Sequence, residues 1–97
     1  MFVIAVTSCA TGIAHSYMSA EAIKNECKAR GYKCKVEIQG ALGIENKLTD
    51  QEIELADLII FANDVGISKV NRFYKYKDKI KKTSPHEVIK KPSIIFD

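Results

Sequence analysis

The chain has 97 residues, 46% hydrophobic and 28% charged, which is one domain with room for a single modest core. No apolar run nears the ~18–20 residues that a membrane span needs. The start, Met1-Phe2-Val3-Ile4-Ala5-Val6, has neither the basic opening nor the cleavage site of a secretion signal, so a cytoplasmic chain is expected.

The first predicted element is a strand over residues 2–7, a short unbroken apolar run rich in β-branched residues, as in a strand covered on both faces. A small, polar loop follows from Ser8 to Ser16. Ile13, Tyr17, Ala20, Ile23 and Cys27 then recur at steps of 4, 3, 3 and 4, the apolar stripe of a helix that Gly31 ends. This spacing predicts that Tyr17 packs in the core, and Met18 is assigned there with it. Lys33–Gln39 alternates, with Cys34, Val36 and Ile38 inward, and reads as a half-buried second strand that the 40–43 stretch breaks. Thr49-Asp50-Gln51-Glu52 is a capping box that opens a short helix ending near Asp57. Leu58–Ala62 is a third apolar strand, and residues 63–66 turn out of it. A short helix near Lys69–Phe73 and a strand near Lys79–Thr83 come next. Ser84-Pro85-His86-Glu87 is a second capping box, with proline at the first helical position, and starts a last helix to about Lys91.

Strands alternating with helices predict a single-domain α/β fold: a small parallel sheet of about four strands, in the order 2-1-3-4, with helices on both faces. Ligands in such sheets bind beyond the carboxyl ends of the strands, where the strand order reverses. Here that crevice lies between the loops 8–16 and 63–68. Cys9 stands in the first of these, at the mouth of the turn into the first helix. Unpaired N–H groups and the helix dipole favour an anion there, whether a thiolate or a phosphoryl group on sulfur. Gly12 permits close backbone approach, and Thr11 and Ser16 offer hydroxyls. The pattern suits a nucleophilic cysteine that accepts a phosphate.

In tyrosine phosphatases an arginine six residues after the cysteine clamps the phosphate; here the position holds His15, and no clear acid for the leaving group is in view. No Gly-Lys-Ser/Thr ends the loop, so it is no Walker A motif. A small cysteine-dependent phosphatase or reductase is the alternative. The reductase would need a resolving thiol, and Cys27 lies about four turns along the helix.

The run from Ala5 through Ser8-Cys9-Ala10-Thr11-Gly12-Ile13-Ala14-His15-Ser16 resembles the phosphocysteine loop of fructose-family enzyme IIB domains of the bacterial sugar phosphotransferase system. The likeness continues through residues 17–22, Val36-Glu37-Ile38-Gln39-Gly40, Gly43-Ile44-Glu45-Asn46 and Arg72-Phe73, so residues 1–97 are expected to be one such domain. Two positions depart from the family pattern: Ala10 replaces a proline, which leaves the loop less rigid, and Ser16 replaces a threonine, keeping the hydroxyl. The resemblance implies a relay. Cys9 takes a phosphoryl group from phosphohistidine on an enzyme IIA partner and passes it to a fructose-like sugar held by membrane enzyme IIC. The amides of Ala10, Thr11, Gly12, Ile13, Ala14 and His15, with the hydroxyls of Thr11 and Ser16, would hold the phosphate without cofactor or metal. His15 would either donate to the phosphate or cap the loop on a carbonyl. Partner contacts are expected to be transient, and the isolated chain a monomer without nucleic-acid function.

Cys27 and Cys34 read as core residues, and three cysteines without a CxxC pair indicate neither a disulfide framework nor a zinc site. His86 reads as a surface residue, and Asp64, which faces the predicted crevice and could contact a partner there, reads first as a turn-forming aspartate. Residues 1–68 carry a net −3 and residues 69–91 a net +7 within the overall +3. That basic stretch, Arg72 included, reads first as a solvated face; its lysines are also expected to border the loop and draw an acidic partner, which charge reversal at Lys69, Arg72 and Lys75 would test.

Overall fold

The computed structural model describes residues 1–10, 13–40 and 43–97 and, of Ile13, the backbone only. Strand β1 (Phe2–Ser8) lies at the centre, paired in parallel with β2 (Lys33–Gly40) on one side and β4 (Leu58–Asn63) on the other. Strand β5 (Ile80–Thr83) extends the sheet in parallel beyond β4. The four parallel strands stand in the predicted order. The structure adds a fifth, β3 (Gly43–Glu45), antiparallel on the free edge of β2. The glycines that were expected to break the sheet instead face each other across this ladder, and Gly43 takes a φ of 108° that favours glycine.

Alternate residues of the central strands feed two cores, and this explains the unbroken apolar runs. Val3, Ala5, Val36, Ile38, Ile60 and Ala62 pack under helix α1 (Ile13–Ala29) and helix α3 (Pro85–Lys90). Ile4, Val6, Ile59 and Phe61 pack under helix α2 (Asp50–Leu55) and a 3-10 segment at Val70–Lys79. Ile4, Ile23, Ile59 and Ile60 are fully buried, each stabilising the fold by about 1.5–3 kcal/mol through transfer from water.

Helix α1 ends where the glycine predicts. Gly31 adopts φ 76°, the Tyr32 N–H reaches the Cys27 carbonyl at 2.9 Å, and the Gly31 N–H reaches that of Lys28 at 3.1 Å. This is a Schellman ending, with Tyr32 packed on the same core as Cys27. The Thr49–Glu52 capping box is present in both directions. At α3 only half of the predicted box forms: Ser84 Oγ accepts from the Glu87 N–H, while its hydroxyl turns to the Glu87 carboxylate. The segment after Lys69 is a longer 3-10 helix, kinked at Tyr76, rather than a short helix to Phe73, and a second 3-10 turn at Pro92–Phe96 closes the α1 side.

The inward stripe of α1 is also rotated from the prediction. Ser16, Ser19, Ala20, Ile23 and Cys27 are buried, whereas Tyr17 and Met18 are 36% and 51% exposed. Small residues admit the helix close to the sheet, and their hydroxyls are satisfied locally where they can be. Ser19 Oγ donates to the Ser16 carbonyl at 3.0 Å, and Thr7 Oγ1 donates to the same carbonyl at 3.2 Å, tying the end of β1 to the first turns of α1. Bulk at Tyr17 and Met18 is thereby pushed outward.

Candidate active site

Three elements converge at the carboxyl end of β1. Ser8, the last residue of β1, is paired with Gln39 of β2 and Asn63 of β4, so the residues that follow β1 and β4 emerge side by side. Cys9 follows β1 and Asp64 follows β4. The Asp64 N–H donates to the Ser8 carbonyl at 3.1 Å, continuing the ladder one step past the strand.

Cys9 is half-buried, and its thiol donates to Asp64 Oδ2 at 3.2 Å. The other carboxylate oxygen, Oδ1, accepts from the Ala10 N–H at 2.9 Å. His15, in the first turn of α1, brings Nδ1 to 3.7 Å from the Cys9 sulfur. The bond from the Ala10 N–H, then that from the Cys9 thiol, hold the Asp64 carboxyl below its ordinary value. Asp64 is therefore a carboxylate near neutral pH, and the turn-forming role expected of it gives way to direct contact with the sulfur. It supplies a carboxyl group where none was in view, but an ionised one, unsuited to protonating a leaving group.

The predicted phosphate ligands are distributed as follows. Ala10 is exposed with its N–H engaged by Asp64, Ala14 is exposed in the first turn of α1, and His15 faces the sulfur. Ser16 is fully buried, and its Oγ has no hydrogen-bond partner among the described residues. Thr11, Gly12 and the side chain of Ile13 lie outside the described residues. Among the described residues no group of three or more His, Cys, Asp or Glu could hold a metal.

A second polar cluster lies beside the first. Glu37, with 0% exposure, receives Arg72 Nη1 on Oε1 and Nη2 on Oε2, each at 2.9 Å. The Leu48 N–H adds a bond to Oε1 at 2.8 Å, and Gln39 Nε2 adds one to Oε2 at 2.7 Å. Gln39 then clasps Ser68 in both directions, accepting from its N–H at 2.8 Å and donating to its carbonyl at 3.0 Å. Arg72 spends its remaining donors on the carbonyls of Lys69, Leu48 and Ser68. Burial pushes the Glu37 carboxyl up, but the bonds from Arg72, Leu48 and Gln39 outweigh it and leave the group below its ordinary value.

This cluster revises two expectations. Arg72 is not part of a solvated face, and β2 is buried on both sides from Val36 to Gln39 because Leu48 and Arg72 cover the face that carries Glu37. A glutamate flanked by Val36 and Ile38 inside a strand, and an arginine just before a core phenylalanine, were the available signals. Cys27 is buried in the core as predicted, whereas Cys34 is half-buried and packs against that core; the interaction between the two thiols lowers that of Cys27 and raises that of Cys34. His86 is exposed.

The family model described as "PTS system, Lactose/Cellobiose specific IIB subunit" matches residues 4–96. The "PTS system fructose-like EIIB component 2" of Escherichia coli (strain K12) is 48% identical over 71 residues, which are 73% of this chain and 67% of that protein. The "PTS system fructose-specific EIIB'BC component" of Vibrio cholerae is 43% identical over 89 residues, 92% of this chain but only 15% of that much longer protein. A solution structure of the "Enzyme IIB subunit of PTS system" from Escherichia coli K12 superposes with a TM-score of 0.89 at 34% identity, covering 97% of this chain and 85% of that one.

Proposed function

The chain belongs to the PTS IIB family, with fructose-type IIB components among its relatives, and we propose that it works as a phosphocysteine carrier, with Cys9 as the group that takes and gives the phosphate. The observation that supports this most is the setting of Cys9. A half-exposed thiol stands at the carboxyl edge of the central strand, four residues ahead of a 17-residue helix, with a histidine of that helix turned to the sulfur.

The donor is a phosphohistidine on an enzyme IIA. The sulfur attacks phosphorus in line, an S–P bond forms, and the P–N bond breaks with its electron pair going to imidazole nitrogen. The proton that leaves the thiol balances the one that nitrogen takes up. Charge on the equatorial oxygens is met by the amides of residues 10–15 and the positive end of α1. Ser16 supplies a further hydroxyl. Its Oγ is buried without a partner among the described residues, an arrangement costing about 1–3 kcal/mol that a phosphate oxygen would relieve. His15 Nδ1, already facing the sulfur, acts as a phosphate ligand.

The acceptor is a fructose-like sugar held by a membrane enzyme IIC, a partner that the fused EIIB'BC relative carries in the same polypeptide. The relay runs at the cytoplasmic face of the membrane, and no helix among the described residues is itself long and apolar enough to cross it. Residues 1–97 serve as a IIB domain, and both partners approach the Cys9 edge in turn, in short-lived contacts.

Intact mass tests the reading. The chain is incubated with phosphoenolpyruvate, the general phosphotransferase proteins and a fructose-type enzyme IIA, beside a Cys9→Ser variant. One phosphoryl group gained by the wild type and absent from the variant is the expected result. No gain, with the enzyme IIA shown to be charged, overturns it.

A further inference from the structure

We propose that Asp64 is an electrostatic latch on Cys9: its carboxylate bridges the Cys9 thiol and the Ala10 N–H at rest, and releases the Ala10 N–H when the sulfur becomes charged.

The geometry has one carboxylate straddling two partners, Oδ2 on the Cys9 thiol at 3.2 Å and Oδ1 on the Ala10 N–H at 2.9 Å. These are the atom that becomes charged and the first backbone donor after it. A thiol can donate to a carboxylate; a thiolate or an S-bound phosphoryl group, both anionic, is repelled by it. The bridged arrangement therefore belongs to the neutral state, and charging the sulfur favours its opening. Ala10 matters here, because a proline at this position would have no N–H to offer.

The latch is held by backbone and released by side chain. Asp64 is fixed by its own N–H on the Ser8 carbonyl, and Asn63 Nδ2 braces the turn on the Val65 carbonyl at 2.8 Å. The far end of the segment is pinned at Ser68 by Gln39 and Arg72. The carboxylate itself is exposed, so a rotation of the side chain carries it into water without disturbing either core. Among the described residues, Asp64 from the end of β4 and His15 from α1 face the sulfur.

The bridge engages the neutral sulfur, and an anionic group on the sulfur gives it up. At rest it shields the thiol from adventitious chemistry. Phosphorylation of the sulfur costs this bridge, and passing the group on restores it. This second effect rests on the carrier reading; the first does not.

Alkylation of the whole chain by iodoacetamide at pH 7 and low salt, with Cys9 modification followed by mass, tests the first effect. Asp64→Asn keeps the bulk and one acceptor oxygen but removes the charge, Asp64→Ala removes both, and Ala10→Pro removes the amide that holds Oδ1. Both Asp64 variants are expected to react about three- to ten-fold faster, and Ala10→Pro faster to a smaller degree. Unchanged or slower alkylation of Asp64→Asn overturns the latch, and so does acceleration confined to Asp64→Ala, which would mark access rather than charge. The second effect is tested at a fixed donor ratio, where Asp64→Asn is expected to hold a larger phosphorylated fraction; an equal or smaller fraction overturns that part. Faster alkylation with no phosphorylation of any form upholds the latch and overturns the carrier reading.

Discussion

Two polar clusters flank one short segment, residues 63–72, and they are built on opposite terms. At its far end, Glu37 and Arg72 are removed from water, and each Glu37 oxygen and every Arg72 nitrogen has a partner. At its near end, Asp64 lies exposed, its carboxylate bonded to the half-buried Cys9 thiol and the Ala10 amide. A buried and fully satisfied network has one arrangement, because any change strands a charge. An exposed carboxylate can be replaced by water or by another anion at little cost. The first cluster fixes where the segment runs; the second is free to respond to what arrives at the sulfur.

The sharpest way to break this contrast is to cut each cluster once. Arg72→Met leaves Glu37 buried without its partner and is expected to cost about 3–5 kcal/mol, read as a fall in the urea midpoint. Asp64→Asn is expected to leave that midpoint unmoved. Equal effects would dissolve the distinction. Replacing both partners, as Glu37→Met with Arg72→Met, is expected to recover much of the loss, because no charge is then stranded.

Acid sharpens it further. Glu37 sits below its ordinary value when folded, so its contribution is complete above about pH 4.3, the ordinary value for a glutamate, and is lost as pH falls through the lower folded value. Stability should therefore decline below about pH 4.3 and decline less steeply in Glu37→Gln. Glu52, bonded by Lys35 and by the Thr49 N–H, is displaced in the same direction and leaves that variant a residual slope. A variant with the full wild-type slope would remove Glu37 from the account.

The smallest effect is at the α2 cap. Thr49→Ala is expected to cost about 1 kcal/mol in the same urea titration, with alkylation of Cys9 unchanged. Altered reactivity would show that the two sides of the sheet are coupled after all.

The parallel sheet was legible because unbroken apolar runs such as 2–7 and 58–62 admit little else, and the cap at Thr49 because its chemistry is local. The Cys9 loop was legible by its place between strand and helix. Strand β3 was not, since three residues held by one antiparallel ladder carry no periodic signal. The outward turn of Tyr17 was missed because a stripe of serine and alanine is invisible to a count of apolar residues. Asp64 and Arg72 were misjudged for one reason: their partners, Cys9 and Glu37, lie 55 and 35 residues away. Local sequence shows a turn and a basic run. Only the register of β1 against its neighbours brings the partners together.

Phosphorus NMR of the charged protein tests the central claim most directly, because it reports the atom to which phosphorus is bonded. A single resonance of a phosphorus bonded to sulfur, absent from Cys9→Ser and retained in a His15→Asn variant, is the predicted result. A resonance of phosphorus bonded to nitrogen, lost with His15, would contradict it and make His15 the carrier.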